Sequence, residues 1–108
     1  MTDEERGWAA GLFEGEGSVG RWGIKRPKIR ASLEMNDEDS VKRFHRFIGF
    51  GSVSRTTRAS RPDKHTWTWS TSGRPNVTTL EFLISGLLGQ RRQKQFDQAL
   101  HHRDRDSP

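Results

Sequence analysis

The sequence predicts an α+β domain, with helices covering one face of a single antiparallel sheet. Three observations predict it. Residues 28–35 alternate strictly: Ile29, Ala31, Leu33 and Met35 fall on one face, and Lys28, Arg30, Ser32 and Glu34 on the other. That is the pattern of a half-buried strand. Val41, Phe44, Phe47 and Ile48 recur instead at helical spacing. The two kinds of segment follow one another as α-β-β-α-β-β-α-α, two hairpins each followed by helix, which favours antiparallel pairing over parallel crossovers.

The first helix is expected from residue 3 to 14 or 15. Thr2 or Asp3 caps it, and Glu4 and Glu5 suit its first turn. Trp8, Leu12 and Phe13 are its core candidates. A short glycine-rich strand follows over 17–23, then a turn at Arg26-Pro27, then the alternating strand. Asn36-Asp37-Glu38-Asp39 supplies a cap and first-turn acids for the second helix, and Gly49-Phe50-Gly51 ends it. A third strand is expected over 52–57, a polar loop with Pro62-Asp63 over 58–64, and a fourth strand over 65–70. There Trp67 and Trp69 share one face, as core residues or as base-stacking platforms. A third helix is expected over 76–88, carrying Leu80, Leu83, Ile84 and Leu87, and a fourth over 90–100. Residues 1–100 thus form one domain, and 101–108 a charged tail.

Composition narrows the partners. Of 108 residues only 30% are hydrophobic, so burial against a partner would help this chain. Its 19 Lys and Arg exceed 14 Asp and Glu, a net charge of +5 that favours a polyanion such as nucleic acid. There is no cysteine, which excludes disulfides and thiolate metal sites. None of the four histidines has a partner at metal-ligand spacing. The N-terminus does not read as a signal peptide and no apolar run is long enough to span a bilayer. An intracellular soluble protein is the expectation.

The most informative segment is Ala9-Ala10-Gly11-Leu12-Phe13-Glu14-Gly15-Glu16-Gly17. Gly11 and Gly15 share a helix face, and each costs about 1 kcal/mol relative to Ala inside a helix. Acids at a helix C-terminus oppose its dipole. A helix so disfavoured alone makes sense if two copies pack closely and present acids at their shared end.

This segment resembles the motif of the LAGLIDADG homing endonucleases. The element order, the Ile48-Gly49-Phe50-Gly51-Ser52-Val53 turn and the Gln93-Lys94-Gln95 segment are similar to that family as well. The resemblance implies a domain whose sheet forms a saddle, and a site-specific double-stranded DNA endonuclease. One motif in a short chain implies a homodimer, with Ala10, Gly11, Glu14 and Gly15 at the interface. It implies Glu16, at the second acid of the motif, as ligand to Mg²⁺ or Mn²⁺; Glu14 is the more structural acid. Asn36 matches a position that orients water, or else caps the second helix. Arg92 or Lys94 matches a basic residue that supports the scissile phosphate.

DNA contacts are expected from the outward strand positions Trp22, Lys28, Arg30, Ser32, Glu34, Ser54, Thr56, Lys64, Thr66 and Thr68. Arg21 and Arg26, with Arg55, Arg58 and Arg61, lie on or beside the hairpins and suit phosphates. The competing reading is a non-cleaving DNA-binding regulator or intron-splicing maturase on the same scaffold. Retention of Glu16 favours the enzyme, because a pure binder has no use for an acid beside a phosphate.

Overall fold

The computed structural model describes residues 1–101, with the side chains of Arg58, Arg61 and His101 excepted. The expected tail beyond residue 101 lies outside the described residues. The order is α1 (Asp3–Glu16), β1 (Gly17–Trp22), β2 (Lys28–Met35), α2 (Glu38–Ile48), β3 (Ser52–Arg58), β4 (Arg61–Ser72), α3 (Arg74–Ile84) and α4 (Gln90–His101). The strands form one four-stranded sheet in the order β1-β2-β4-β3, with every pair antiparallel.

Local chemistry sets the helix ends. Thr2 and Glu5 make a reciprocal capping box at the start of α1. Asp37 caps α2 by accepting from the Asp39 N–H at 3.1 Å and from the Ser40 hydroxyl at 2.8 Å. That leaves Asn36 outside the capping role. Gly49, at φ 89°, closes α2 in the left-handed conformation that suits glycine.

Several boundaries differ from the sequence expectation, and three of the differences reassign named residues. First, β4 begins at Arg61, so most of the expected 58–64 loop is strand. Its polar residues pair with equally polar β3, as in Thr56↔Thr66, and a register shift at Thr57/Arg58 accommodates the end near Pro62. Second, α3 starts at Arg74, because Pro75 in the first turn needs no N–H partner. Third, α3 ends at Ile84, so Leu87 falls beyond the helix and is 47% exposed.

All four helices contribute to one core on one face of the sheet. Phe13 of α1, Phe44 of α2, Phe96 of α4 and Trp69 of β4 are fully buried. Phe13 stacks on Phe44 at 6.1 Å and meets Phe96 at 5.6 Å, and Phe44 meets Trp69 edge-on at 4.9 Å. The Trp69 indole N–H donates to the Phe50 carbonyl at 2.9 Å, so this tryptophan is core. Trp67 packs partly buried against the same cluster. Among the described residues no helix is long and apolar enough to cross a membrane.

The junction of α1 and β1 has no loop. Gly17 donates its N–H to the Phe13 carbonyl and is already the first residue of β1. A Cβ on Gly17 would lie 2.6 Å from the Phe13 ring, so only glycine lets the strand start this close to the helix.

Candidate functional site

The end of α1 carries two glutamates with different surroundings. Glu14 is bound into its own chain. Its carboxylate accepts from the Gly89 N–H at 3.0 Å, one residue before α4. The Gly89 carbonyl in turn accepts from the Gln93 N–H, so Glu14 serves the uncompensated N-terminus of α4. A Cβ on Gly89 would lie 2.8 Å from this carboxylate. The Glu14 carbonyl is held as well: the Arg92 guanidinium donates to it from Nη2 at 2.9 Å and from Nε at 3.3 Å. Gln95 fixes the same guanidinium at 2.8 Å.

Glu16, two residues on, is exposed, and no hydrogen bond or ion pair engages its carboxylate among the described residues. A two-residue step turns a helix by about 200°, so one acid faces the fold and the other faces away. The following residue, Gly17, pairs with Leu33 of β2. Asn36, just past the end of β2, is exposed at this same end of the sheet.

The sheet has one face to the helices and one to solvent. The register puts Trp22, Lys28, Arg30, Ser32, Glu34, Ser54, Thr56, Lys64, Thr66 and Thr68 together on the outer face, joined by Ser18, Ser52, Ser70 and Ser72. Arg26 is exposed in the β1–β2 turn. The face is therefore a field of hydroxyls with cations concentrated on β2 and an aromatic on edge strand β1.

Several expected site residues are placed otherwise. Arg21 pairs with Ile29 and lies on the helix face, where its Nε donates to the Ala99 carbonyl at 3.1 Å. Ala10 is 1% exposed and belongs to the chain's own core, not to a surface that meets a partner. Glu14 is occupied by α4 as described. Arg92 is 5% exposed and turned inward, away from any phosphate at the surface. Burial lowers its pKa from the ordinary guanidinium value, the neighbouring Arg91 adds to this and Glu14 opposes it; the group stays a cation. Lys94, the alternative to Arg92, is exposed about 200° round α4 from it.

Sequence reasoning also missed what several arginines do. Arg92 donates to the last turn of α1, Arg6 to the Leu83 and Ser85 carbonyls at the end of α3, and Arg21 and Arg74 to the Ala99 and Leu100 carbonyls at the end of α4. Guanidinium groups thus meet the carbonyl ends of three helices, where positive charge is favoured. Part of the basic excess is internal rather than offered to a polyanion.

The α1 face opposite the core is bare. Gly11 and Gly15 are exposed, and Gly7 extends the row by one more turn. A Cβ on any of the three would meet nothing within 4 Å.

The sequence matches no family model and no curated protein. The fold, in contrast, is shared with solved structures. The homing endonuclease I-CvuI, in complex with its target, superposes with a TM-score of 0.72 at 13% identity, over 93% of this chain and 68% of that one. The archaeal intron-encoded homing endonuclease I-Vdi141I, complexed with DNA, gives 0.67 at 18% identity, over 89% and 66%. The LAGLIDADG meganuclease I-CpaMI, bound to uncleaved DNA, gives 0.71 at 14% identity, over 89% of this chain and 35% of that one. The chain therefore spans about two thirds of the first two proteins and about one third of the third. Four helices on one face of an antiparallel sheet, entered through a glycine-rowed helix that ends in an acid, give this chain the fold of the LAGLIDADG homing endonucleases.

Proposed function

We propose that this chain is a site-specific double-stranded DNA endonuclease that hydrolyses phosphodiester bonds as a metal-dependent homodimer. The observation that carries the reading is Glu16: an unpartnered carboxylate one peptide bond from the first strand of a sheet whose outer face bears hydroxyls and cations. A carboxylate beside a phosphate is repelled unless a cation lies between them. Solved structures of this fold are described as homing endonucleases complexed with DNA, one of them in the presence of 2 mM Mg.

The residues fit a hard divalent cation of the Mg²⁺ type. Among the described residues no three His, Cys, Asp or Glu side chains stand together. One chain therefore offers a single carboxylate rather than a closed cage. Mg²⁺ is commonly held in this way, by one or two carboxylates and substrate phosphates, with waters retained. When bound, it supplies an activated water and stabilises the leaving oxygen. Glu16 would hold it against the backbone, and the Asn36 amide would orient water at the same end of the sheet. Arg92 acts through Glu14, fixing the helix end from which Glu16 projects.

The bare row of Gly7, Gly11 and Gly15 supports the homodimer. Two such helices can approach closely across a two-fold axis, and the symmetry brings both copies of Glu16 to one place. The outer sheet faces would then lie on either side of the axis, each along one half of a duplex site.

The test is selection of cleaved products from a randomised duplex library, with Mg²⁺ or with chelator. Cleavage by the purified chain that is lost on chelation and in Glu16→Gln supports the reading. Cutting by Glu16→Gln at the normal rate removes the acid from the mechanism. Selective binding without any cutting would instead leave a regulator or maturase on this scaffold.

A further inference from the structure

The outer face of β2 is not uniform. Its cations are Lys28 and Arg30, and its acid is Glu34, the single carboxylate among the described outward strand residues. Arg30 and Glu34 are each braced by a neighbour. Arg30 pairs with Gly20, and the Trp22 ring lies across that glycine: a Cβ there would be 3.3 Å from two ring atoms. The Arg30 guanidinium carbon sits 5.9 Å from the ring centroid. Trp22, although 45% exposed, thus forms a shelf beside Arg30. At the other end Glu34 pairs with Thr68 and accepts its hydroxyl at 3.2 Å.

Two braced groups of opposite charge on a DNA-facing surface cannot serve the same purpose. Phosphate attracts the one and repels the other. An acid on such a face finds a favourable partner in an exocyclic amine, and Glu pairs with cytosine N4 in the major groove. An oriented guanidinium finds guanine O6 and N7. Four strand residues span about 13 Å, and bases stack about 3.4 Å apart. The two contacts are therefore about four base pairs apart. Glu34 is the nearer to Glu16, because Gly17 pairs with Leu33.

Resting on the endonuclease reading, we infer that β2 imposes a polar pair of preferences on each half-site. Glu34 selects cytosine near the cut, and Arg30 selects guanine about four base pairs further out. Trp22 and Thr68 are positioning residues that fix the two readers. The hydroxyl-rich β3–β4 hairpin contributes weaker preferences.

The experiment is enrichment of bound duplexes from a randomised library, read position by position, with the purified wild-type chain and surface variants. Wild type is expected to show one guanine and one cytosine position about four base pairs apart. Arg30→Gln lowers the guanine preference about 10- to 100-fold and spares the cytosine. Glu34→Gln moves the inner preference from cytosine to adenine, because an amide matches adenine N6 and N7. Trp22→Ala blunts the guanine position severalfold without changing the unfolding temperature, and Trp22→Phe restores it. If the wild type enriches a site but these variants weaken all positions equally, Arg30 and Glu34 read no bases and the inference falls alone. If the wild type enriches no duplex at all, the endonuclease reading falls with it.

Discussion

Glu14 and Glu16 stand in the same helical turn and have opposite fates. Glu14 is locked twice, by Gly89 through its carboxylate and by Arg92 through its carbonyl. Glu16 is exposed, and nothing among the described residues engages its carboxylate. The difference is one of phase, not of chemistry. An acid at the end of a helix is opposed by the dipole. Glu14 escapes that cost by serving the opposite pole of α4. Glu16 does not, and its exposure is intelligible if a cation comes to it. The fixed acid builds the platform on which the free acid stands.

The largest expected effect breaks the free acid. Glu16→Gln should lower DNA cleavage by on the order of a thousandfold, as when a group that meets developing charge is removed, with the unfolding midpoint unchanged. A parallel fall in both would make Glu16 a structural residue like its neighbour.

Gly11→Leu comes next. It fills space that is open within one chain, so the monomer should stay folded while sedimentation shows loss of the proposed dimer. Gly11→Ala gives a sharper sign. In a lone chain it stabilises the helix by about 1 kcal/mol; across a close helix pair it weakens association. Denaturation at two protein concentrations separates these results.

The third change loosens the locked acid. Arg92→Met leaves the Glu14 carbonyl and the Gln95 amide without their cation, at a cost of about 2 kcal/mol in a urea titration. Cleavage should fall with it and be partly recovered by Arg92→Lys. The smallest effect is that of Glu14→Ala, about 1 kcal/mol, the usual value of a helix cap.

Much of this was legible in the sequence, because period and capping are local. The alternation of β2 fixed its two faces. Residues 36–39 announced α2, and the outward positions of both hairpins followed from parity. The misplaced residues were mostly errors of phase. Val19 is buried in β1, so Arg21 shares its inward face. Arg92, Phe96 and Ala99 fall at helical spacing and share the buried side of α4, which leaves Lys94 outside. Both signals were present in the chain. The partners of the inward arginines were not. Arg6 meets a carbonyl 77 residues away, and Arg21 and Arg92 each meet one 78 residues away. No local pattern encodes such a contact.

The absence of any linker between α1 and β1 couples two properties that an engineer would wish to vary separately. On the endonuclease reading, new base preferences could be written into the side chains of β2 without displacing the acid, since neither the junction at Gly17 nor the packing of Phe13 depends on them. A one-residue slip of β1 would be far more damaging. It would turn Trp22 inward, swing Arg21 outward and carry the end of α1 that bears Glu16 out of register with the outer sheet face. On that reading, retargeting would be a matter of repainting the strands while leaving their alignment untouched.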